Sequence, residues 1–357
     1  MKKFLALFLV LALMLPCMLT ASAEPAPKIA LVTDVGTIDD ESFNQACWQA
    51  VEAYATANKI DYVYYQPTAD TTDARLMKID QAVNEGATVI VMPGYLFGAT
   101  LVTCMEDYPD VTFIAVDVAA GDLTLDYATY YEPAANTVCL TFSEEQAGYL
   151  AGYAAVKDGY TKLGFLGGMA VPAVIRYGYG FVQGADKAAA EMGTQIEINY
   201  TYGGQFFGDA AITAKMEGWY GAGTEIVFAC GGGIYTSAVE AANKYNAKVI
   251  GVDVDQYYID ECIVTSAMKG LQNVTETVLT EYFAGNWANY SGQIKNYSLQ
   301  EGEYVGLPTA EGSWRFNQFT VEDYNAIHDA VKNGEVVVSN DVENAPAVTN
   351  STVNYIQ

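Results

Sequence analysis

The sequence predicts an α/β protein with two doubly wound parallel sheets in series and a cleft between them. Three observations carry this. Short, nearly continuous apolar runs recur with room for one helix between neighbours, the runs end in Asp, Pro or Gly, and about 334 residues remain beyond an N-terminal export signal, more than one core usually organises.

In the first unit the strands read KIALVTD (28–34), DYVYYQP (61–67), TVIVMPG (88–94) and VTFIAVD (111–117). Apolar at almost every position, they suit parallel strands covered on both faces. Helical patterns fit between them at roughly 41–57, 72–86 and 97–107, which makes a βαβ series. The pattern then repeats, with NTVCLTF (136–142), a helix near 144–157, TKLGFLGG (161–168), EINYTYGG (197–204), EIVFACGGG (225–233) and KVIGVDVD (248–255). After ECIVTSAMKG (261–270) come a helix near 272–285, an irregular stretch rich in Gly, Ser, Asn and Tyr, and a last helix near 320–333. The chain is therefore expected to cross back between units near residue 266. That divides it into a signal segment 1–23, an N-terminal lobe of 28–138 plus about 267–300, a C-terminal lobe of 139–266 plus about 301–345, and a tail 346–357.

The export signal is read from Lys2 and Lys3, the apolar run Phe4 to Met18, and the small residues Ala21-Ser22-Ala23 before Glu24. The run is shorter than the roughly 20 residues a membrane span needs. The mature chain is expected outside the cytoplasm, in the periplasm or at the cell surface. A lipid anchor at Cys17 is the alternative processing; Pro16 stands where that signal wants a small residue, which favours the Ala-Ser-Ala cut. Seventeen basic against 43 acidic residues give a formal charge of −26, which repels phosphate backbones and anionic headgroups and argues against nucleic-acid partners. Five cysteines follow the signal (Cys47, Cys104, Cys139, Cys230, Cys262), an odd and scattered set. They read as buried small hydrophobes and not as a disulfide framework or a zinc site.

Open α/β sheets bind ligands beyond the carboxyl ends of their strands, at the point where strand order reverses. Asp34, Gly94 and Asp117 end strands of the first unit; Gly167-Gly168, Gly203-Gly204, Gly231 to Gly233 and Asp253 end strands of the second. Facing edges would gather three acceptor carboxylates and many glycines, a setting for hydroxyls or amines. In VTDVGTIDDESFNQA, Asp39, Asp40 and Glu41 suit the positive end of the helix that follows, with Asp40 or Ser42 as its cap. Phe43 shares an inner helix face with Cys47, Val51 and Tyr54, so a core role is the ordinary expectation and a ligand-stacking ring the alternative. His328, the only histidine, has no Ser or Cys arranged with it as a triad needs, and GYGFVQG (178–184) is one residue too long for a dinucleotide fingerprint and follows no strand. Metal ligation by Asp34, Asp117 and Asp253 lacks supporting histidines. Binding fits better than catalysis, and no cofactor is called for.

KIALVTDVGTIDDESFNQACWQAV resembles the N-terminal signature of the basic membrane protein family, purine-nucleoside receptors that serve as substrate-binding components of ABC transporters. The likeness continues through ANTVCLTFSEEQAGYLAGYAA (135–155), KLGFLGGMAVPAVIRYGYGFVQG (162–184), EIVFACGGGIYTSAVEAA (225–242), VIGVDVDQ (249–256) and VTSAMKGLQN (264–273). It implies a type I periplasmic-binding-protein fold, two doubly wound parallel-sheet lobes joined by crossover strands, closing on one nucleoside. It also implies a purine between Phe43 and an aromatic of YGGQFFGDAA, at Phe206 or Phe207, where this chain departs from the family's serine and aspartate-proline pattern. Asp34 and Asn44 match positions near the base; Asp117, Asp253 and Lys269 match positions around the ribose, with backbone from Gly231 and Gly232. A monomer working with transporter membrane subunits is implied. The rival readings are a type I protein for a sugar or other small polar ligand, feeding a transporter or a sensor, and an exported nucleoside-processing enzyme. A DNA-binding regulator is excluded by the acidity, the export signal and the lack of a helix-turn-helix before Lys28.

Overall fold

The computed structural model describes residues 26–356; the signal segment and the Cys17 alternative lie outside the described residues. The first sheet holds β1 (Lys28–Val32), β2 (Asp61–Tyr65), β3 (Val89–Pro93), β4 (Thr112–Val116), β5 (Thr137–Phe142) and β11 (Gln293–Tyr297), in the order β11-β5-β4-β3-β1-β2, all parallel. The second holds β6 (Lys162–Gly167), β7 (Ile196–Tyr202), β8 (Ile226–Cys230), β9 (Lys248–Asp253), β10 (Ile263–Lys269), β12 (Val305–Gly306) and β13 (Ser351–Tyr355), in the order β12-β10-β9-β8-β6-β7-β13. Only β12 runs antiparallel there. The central strands β3, β4 and β8 are buried at every residue, as their unbroken apolar runs require, whereas β2 is an edge strand with exposed alternate faces.

Nine α-helices among the described residues cover the sheets: α1 (Phe43–Asn58), α2 (Thr72–Asn84), α3 (Gly98–Asp107), α4 (Glu144–Lys157), α5 (Pro172–Met192), α6 (Ala210–Gly221), α7 (Tyr235–Tyr245), α8 (Leu271–Phe283) and α9 (Val321–Lys332). Helix α1 starts two residues later than the pattern suggested, because Asp40 turns its carboxylate back onto the chain. It accepts from the backbone N–H of Ser42 (2.9 Å), Asn44 (3.0 Å) and Gln45 (3.1 Å).

The lobe division differs from expectation in three places. Strand 137–142 pairs with β4 in the first sheet and does not open the second; an apolar run specifies a buried strand without specifying which sheet receives it. The return crossing falls at Gly270 and not near 266, since β10 keeps its pairing with β9 as far as Met268 opposite Asp253 and pairs at Lys269 with β12. The crossing placed near residue 300 joins β11 to β12 and is not one of the three. The segment assigned as a tail carries β13, which lengthens the second sheet beside β7. Its residues are mostly exposed and so show no core pattern to read.

Helices α4 and α5 cross at very short range. A Cβ on Gly148 would lie 2.1 Å from the Tyr177 carbonyl oxygen, one on Gly152 2.1 Å from that of Phe181, one on Gly180 2.1 Å from that of Glu145, and one on Gly184 1.9 Å from that of Tyr149. GYGFVQG is therefore half of a backbone-to-backbone packing seam. This close approach brings the first turns of both helices to the base of the cleft.

Candidate functional site

Strand order reverses between β1 and β3 in one lobe and between β6 and β8 in the other. The chain leaves those strands at Asp34 and Gly94, and at Gly168 and Gly231, and these four ends face a single cavity or its wall. The space between them is about 550 Å³ when its open mouth is counted. Asp34, Phe43, Asn44, Asp117, Phe206, Gly231, Gly232, Asp253 and Lys269 all line it, so the nine residues singled out from sequence come together from both lobes.

On the first lobe, Asp34 Oδ1 accepts from Gly36 N–H (2.7 Å) and from the Asn44 side-chain amide (3.1 Å). That bond turns Asn44 Oδ1 elsewhere, buried and with no partner within the protein. Gly94, at φ +120°, allows the approach, since a Cβ there would sit 2.9 Å from Asp34 Oδ2. Burial pushes the Asp34 carboxyl above the ordinary aspartate value, and the two hydrogen bonds recover part of the shift. Phe43, in the first turn of α1, is half-buried against the cavity.

On the second lobe, Phe206 lines the cavity and Phe207 is 57 % exposed, which separates the two rings the sequence left as alternatives. The Phe206 carbonyl accepts from Gly233 N–H at 2.9 Å, and its ring lies over Gly168, where a Cβ would fall 2.4 Å from it. The Gln205 amide braces the loop by donating to the Phe207 carbonyl (3.1 Å) and to Asp209 (2.9 Å), the residue that caps α6.

Between these walls lies a charged floor. Lys269 ends β10 and donates to Asp117, with Glu144 Oε1 at 3.3 Å and Asp253 Oδ1 at 3.9 Å. Burial works against the ammonium, but Asp117, Glu144 and Asp253 outweigh it and hold Lys269 above the usual lysine range. Asp117 and Asp253 both take positive φ, 60° and 65°, a left-handed conformation that Asp tolerates at a cost on the order of 1 kcal/mol. Burial raises the Asp117 carboxyl to about 6 despite Lys269, and raises Asp253 while Lys269 and the Ser42 hydroxyl offset part of the effect. One Asp117 oxygen, Oδ1, is buried without a partner within the protein. Ser42, on the first lobe, donates to Asp253 Oδ2 across the cleft at 2.6 Å. The floor thus offers carboxylate acceptors and one cation, which suits a neutral ligand rich in hydroxyls and amines.

Sequence reasoning missed Tyr95, Val171, Val174, Tyr177 and Val252, which also line the cavity. Tyr177 has a buried hydroxyl without a protein partner. Its signal was its place in VPAVIRYGYG, nine residues after the strand-end glycine pair and in the second turn of α5. Glu144 and Arg176, paired at 2.6 Å behind Lys269, were also missed, because nothing local marks two residues on different helices as partners. Cys230 lines the wall, and all five cysteines of the described residues are buried and free. His328 lies outside this cavity and bonds to Glu303 at 2.9 Å. The described residues contain no group of His, Cys, Asp and Glu suited to a metal ion and no helix long and apolar enough to cross a membrane.

The profile of a family described as "ABC transporter substrate-binding protein PnrA-like" matches residues 27–341. The ABC transporter nucleoside-binding protein BmpA of Lactococcus lactis is 26 % identical over 307 residues, covering 79 % of this chain and 82 % of that protein. Basic membrane protein A1 of Borrelia garinii is 29 % identical over 280 residues, covering 77 % and 78 %. Among solved structures, an ABC transporter solute-binding protein from Aeropyrum pernix superposes with a TM-score of 0.74 at 20 % identity, over 88 % of this chain and 94 % of that one. One from Conexibacter woesei gives 0.67 at 22 % identity, over 88 % and 99 %. These two show the shared fold, two α/β lobes closing on a cleft.

Proposed function

Because this chain belongs to the family of PnrA-like ABC transporter substrate-binding proteins, we propose that its ligand is a purine nucleoside, held with the base between Phe43 and Phe206 and the ribose over Asp117, Asp253 and Lys269. The observation that carries the reading is chemical. The residues of the cavity divide into two rings and an Asp34–Asn44 pair that offers unpartnered acceptor atoms, and a floor of carboxylates around one ammonium. A neutral nucleoside has a flat aromatic base with donors at its edge and a sugar with vicinal hydroxyls, and it brings no phosphate for the carboxylates to repel. The coarser role follows from the family: a small molecule is captured outside the cytoplasm and passed to the membrane subunits of a transporter.

Calorimetric titration of residues 24–357, unfolded and refolded to strip carried-over ligand, tests it with adenosine, guanosine, inosine, cytidine, uridine and ribose. The expected result is a purine nucleoside with Kd near or below about 1 μM, about −8 kcal/mol, and little heat from ribose alone. A stacking ring contributes about 1–3 kcal/mol, so Phe43→Ala should weaken binding roughly ten- to a hundredfold. Phe207→Ala should leave it nearly unchanged, its ring being exposed. Tight binding of ribose with no gain from any base would point to the sugar reading instead.

A further inference from the structure

We propose that Glu144, which does not line the cavity, is a positioning residue that aims the Lys269 ammonium at the ligand's sugar hydroxyls. The proposal rests on the nucleoside reading above and extends it to a residue behind the site. Glu144 is the first residue of α4 and is fully buried. Both of its oxygens are committed, Oε2 to Arg176 Nε at 2.6 Å and Oε1 to Lys269 at 3.3 Å. Burial opposes its charge, yet Arg176 and then Lys269 overcome that and hold the carboxyl below the usual glutamate range.

Lys269 has three N–H bonds to place. One goes to Asp117 and one to Glu144, while Asp253 at 3.9 Å lies beyond hydrogen-bond length and leaves the third for a ligand oxygen. Rings close the other directions, with Phe43 at 4.8 Å, Phe142 at 5.6 Å and Tyr177 at 5.7 Å from the ammonium. Without the pull of Glu144 the ammonium has one direction of relaxation, toward Asp253. That move would use up the free N–H and an acceptor lone pair together, both of them sugar contacts. Glu144 cannot drift in compensation, since the glycine seam fixes α4 against α5, the helix that carries Arg176.

The test compares a purine ribonucleoside with its 2′,3′-dideoxy analogue on wild-type protein, on E144Q and on E144Q/R176M, by calorimetry, with circular dichroism to confirm folding. In E144Q one amide oxygen must serve two donors, Arg176 and Lys269, and the NH₂ faces one of them. The double variant removes both charges, so that no unpaired guanidinium is left to unfold the protein. A charge-assisted hydrogen bond contributes about 1.5–3 kcal/mol, so both variants should lose roughly ten- to a hundredfold in ribonucleoside affinity and less than about threefold for the dideoxy analogue. Equal losses for both ligands would mean a structural role only and overturn the proposal, as would no loss at all. If the wild type itself fails to bind or to discriminate the two ligands, the nucleoside reading fails first and takes this proposal with it.

Discussion

Glu145 sits beside Glu144 in the first turn of α4, 4 % exposed, with Oε2 buried and unpartnered within the protein. Burial, and after it the charge of Glu144, raise its carboxyl to about 7, while Arg176 and the Ser143 hydroxyl pull weakly the other way. A carboxyl raised in the folded state binds its proton more tightly there than in the unfolded chain. Its stabilisation is complete below the ordinary glutamate value and is lost as pH rises through about 7. Glu145→Gln should therefore be more stable than wild type at pH 8, by on the order of 2 kcal/mol. Asp40 and Asp117 also stand near 6, so the informative comparison is the change in melting temperature between pH 6 and 8, which should be flatter in the variant. An unchanged slope would mean that Glu145 is ionised throughout. Such buried charge could not be read from EEQAGYLAG, where three polar residues ahead of an apolar run look like an exposed helix start. Asp34, Asp117 and Asp253 could be read, because a carboxylate at the end of a buried parallel strand has one place to point. The choice of Phe206 over Phe207 depends on a loop held by Gln205 and Gly233, and neighbouring aromatics carry no phase of their own.

Helices α4 and α5 show what element-level pattern can hide. From sequence α4 is expected as a helix near 144–157, whereas no helix is assigned to Pro172–Met192, where GYGFVQG is weighed only as a dinucleotide fingerprint. A Cβ on Gly184 would meet the Tyr149 carbonyl at 1.9 Å, a contact with rigid backbone that only separation of the helices can relieve. Gly184→Ala is expected to destabilise by about 3 kcal/mol or more, as overpacking of a close seam does. Gly218, on the exposed face of α6 with nothing near its Cβ position, gives the contrast: Gly218→Ala should stabilise by up to about 1 kcal/mol. Denaturant unfolding of both variants measures the difference. Similar effects at the two sites would show that the seam is loose in solution. The alternation of strands and helices was legible because each element carries its own period; assignment of β5 to the first sheet and of β13 to the second was not, because pairing partners lie far away in sequence.

Taken whole, the molecule holds its lobes together with contacts of its own as well as those it offers a ligand. Ser42 reaches Asp253 at the edge of the cavity. Farther out, the Gln256 side-chain amide donates to the Glu41 carbonyl at 2.8 Å, and the Tyr258 hydroxyl donates to the Glu41 carboxylate. Glu41 takes φ 52°, so the chain accepts backbone strain where it presents these acceptors to the other lobe. Bonds made only between closed lobes raise the closed population, and a ligand that needs the closed form gains apparent affinity in proportion. Tyr258 is 57 % exposed and lies outside the cavity lining, so its contribution is that of a solvent-screened bond, about 1 kcal/mol or less. Tyr258→Phe should then raise the Kd of whichever ligand binds the wild type by about two- to fivefold. Solution scattering of the stripped protein should show a larger radius of gyration for the variant, and both proteins should converge to the same value at saturating ligand. A weaker Kd without that expansion would place the effect in the bound complex; an unchanged Kd with unchanged scattering would mean that the ligand's own contacts close the lobes.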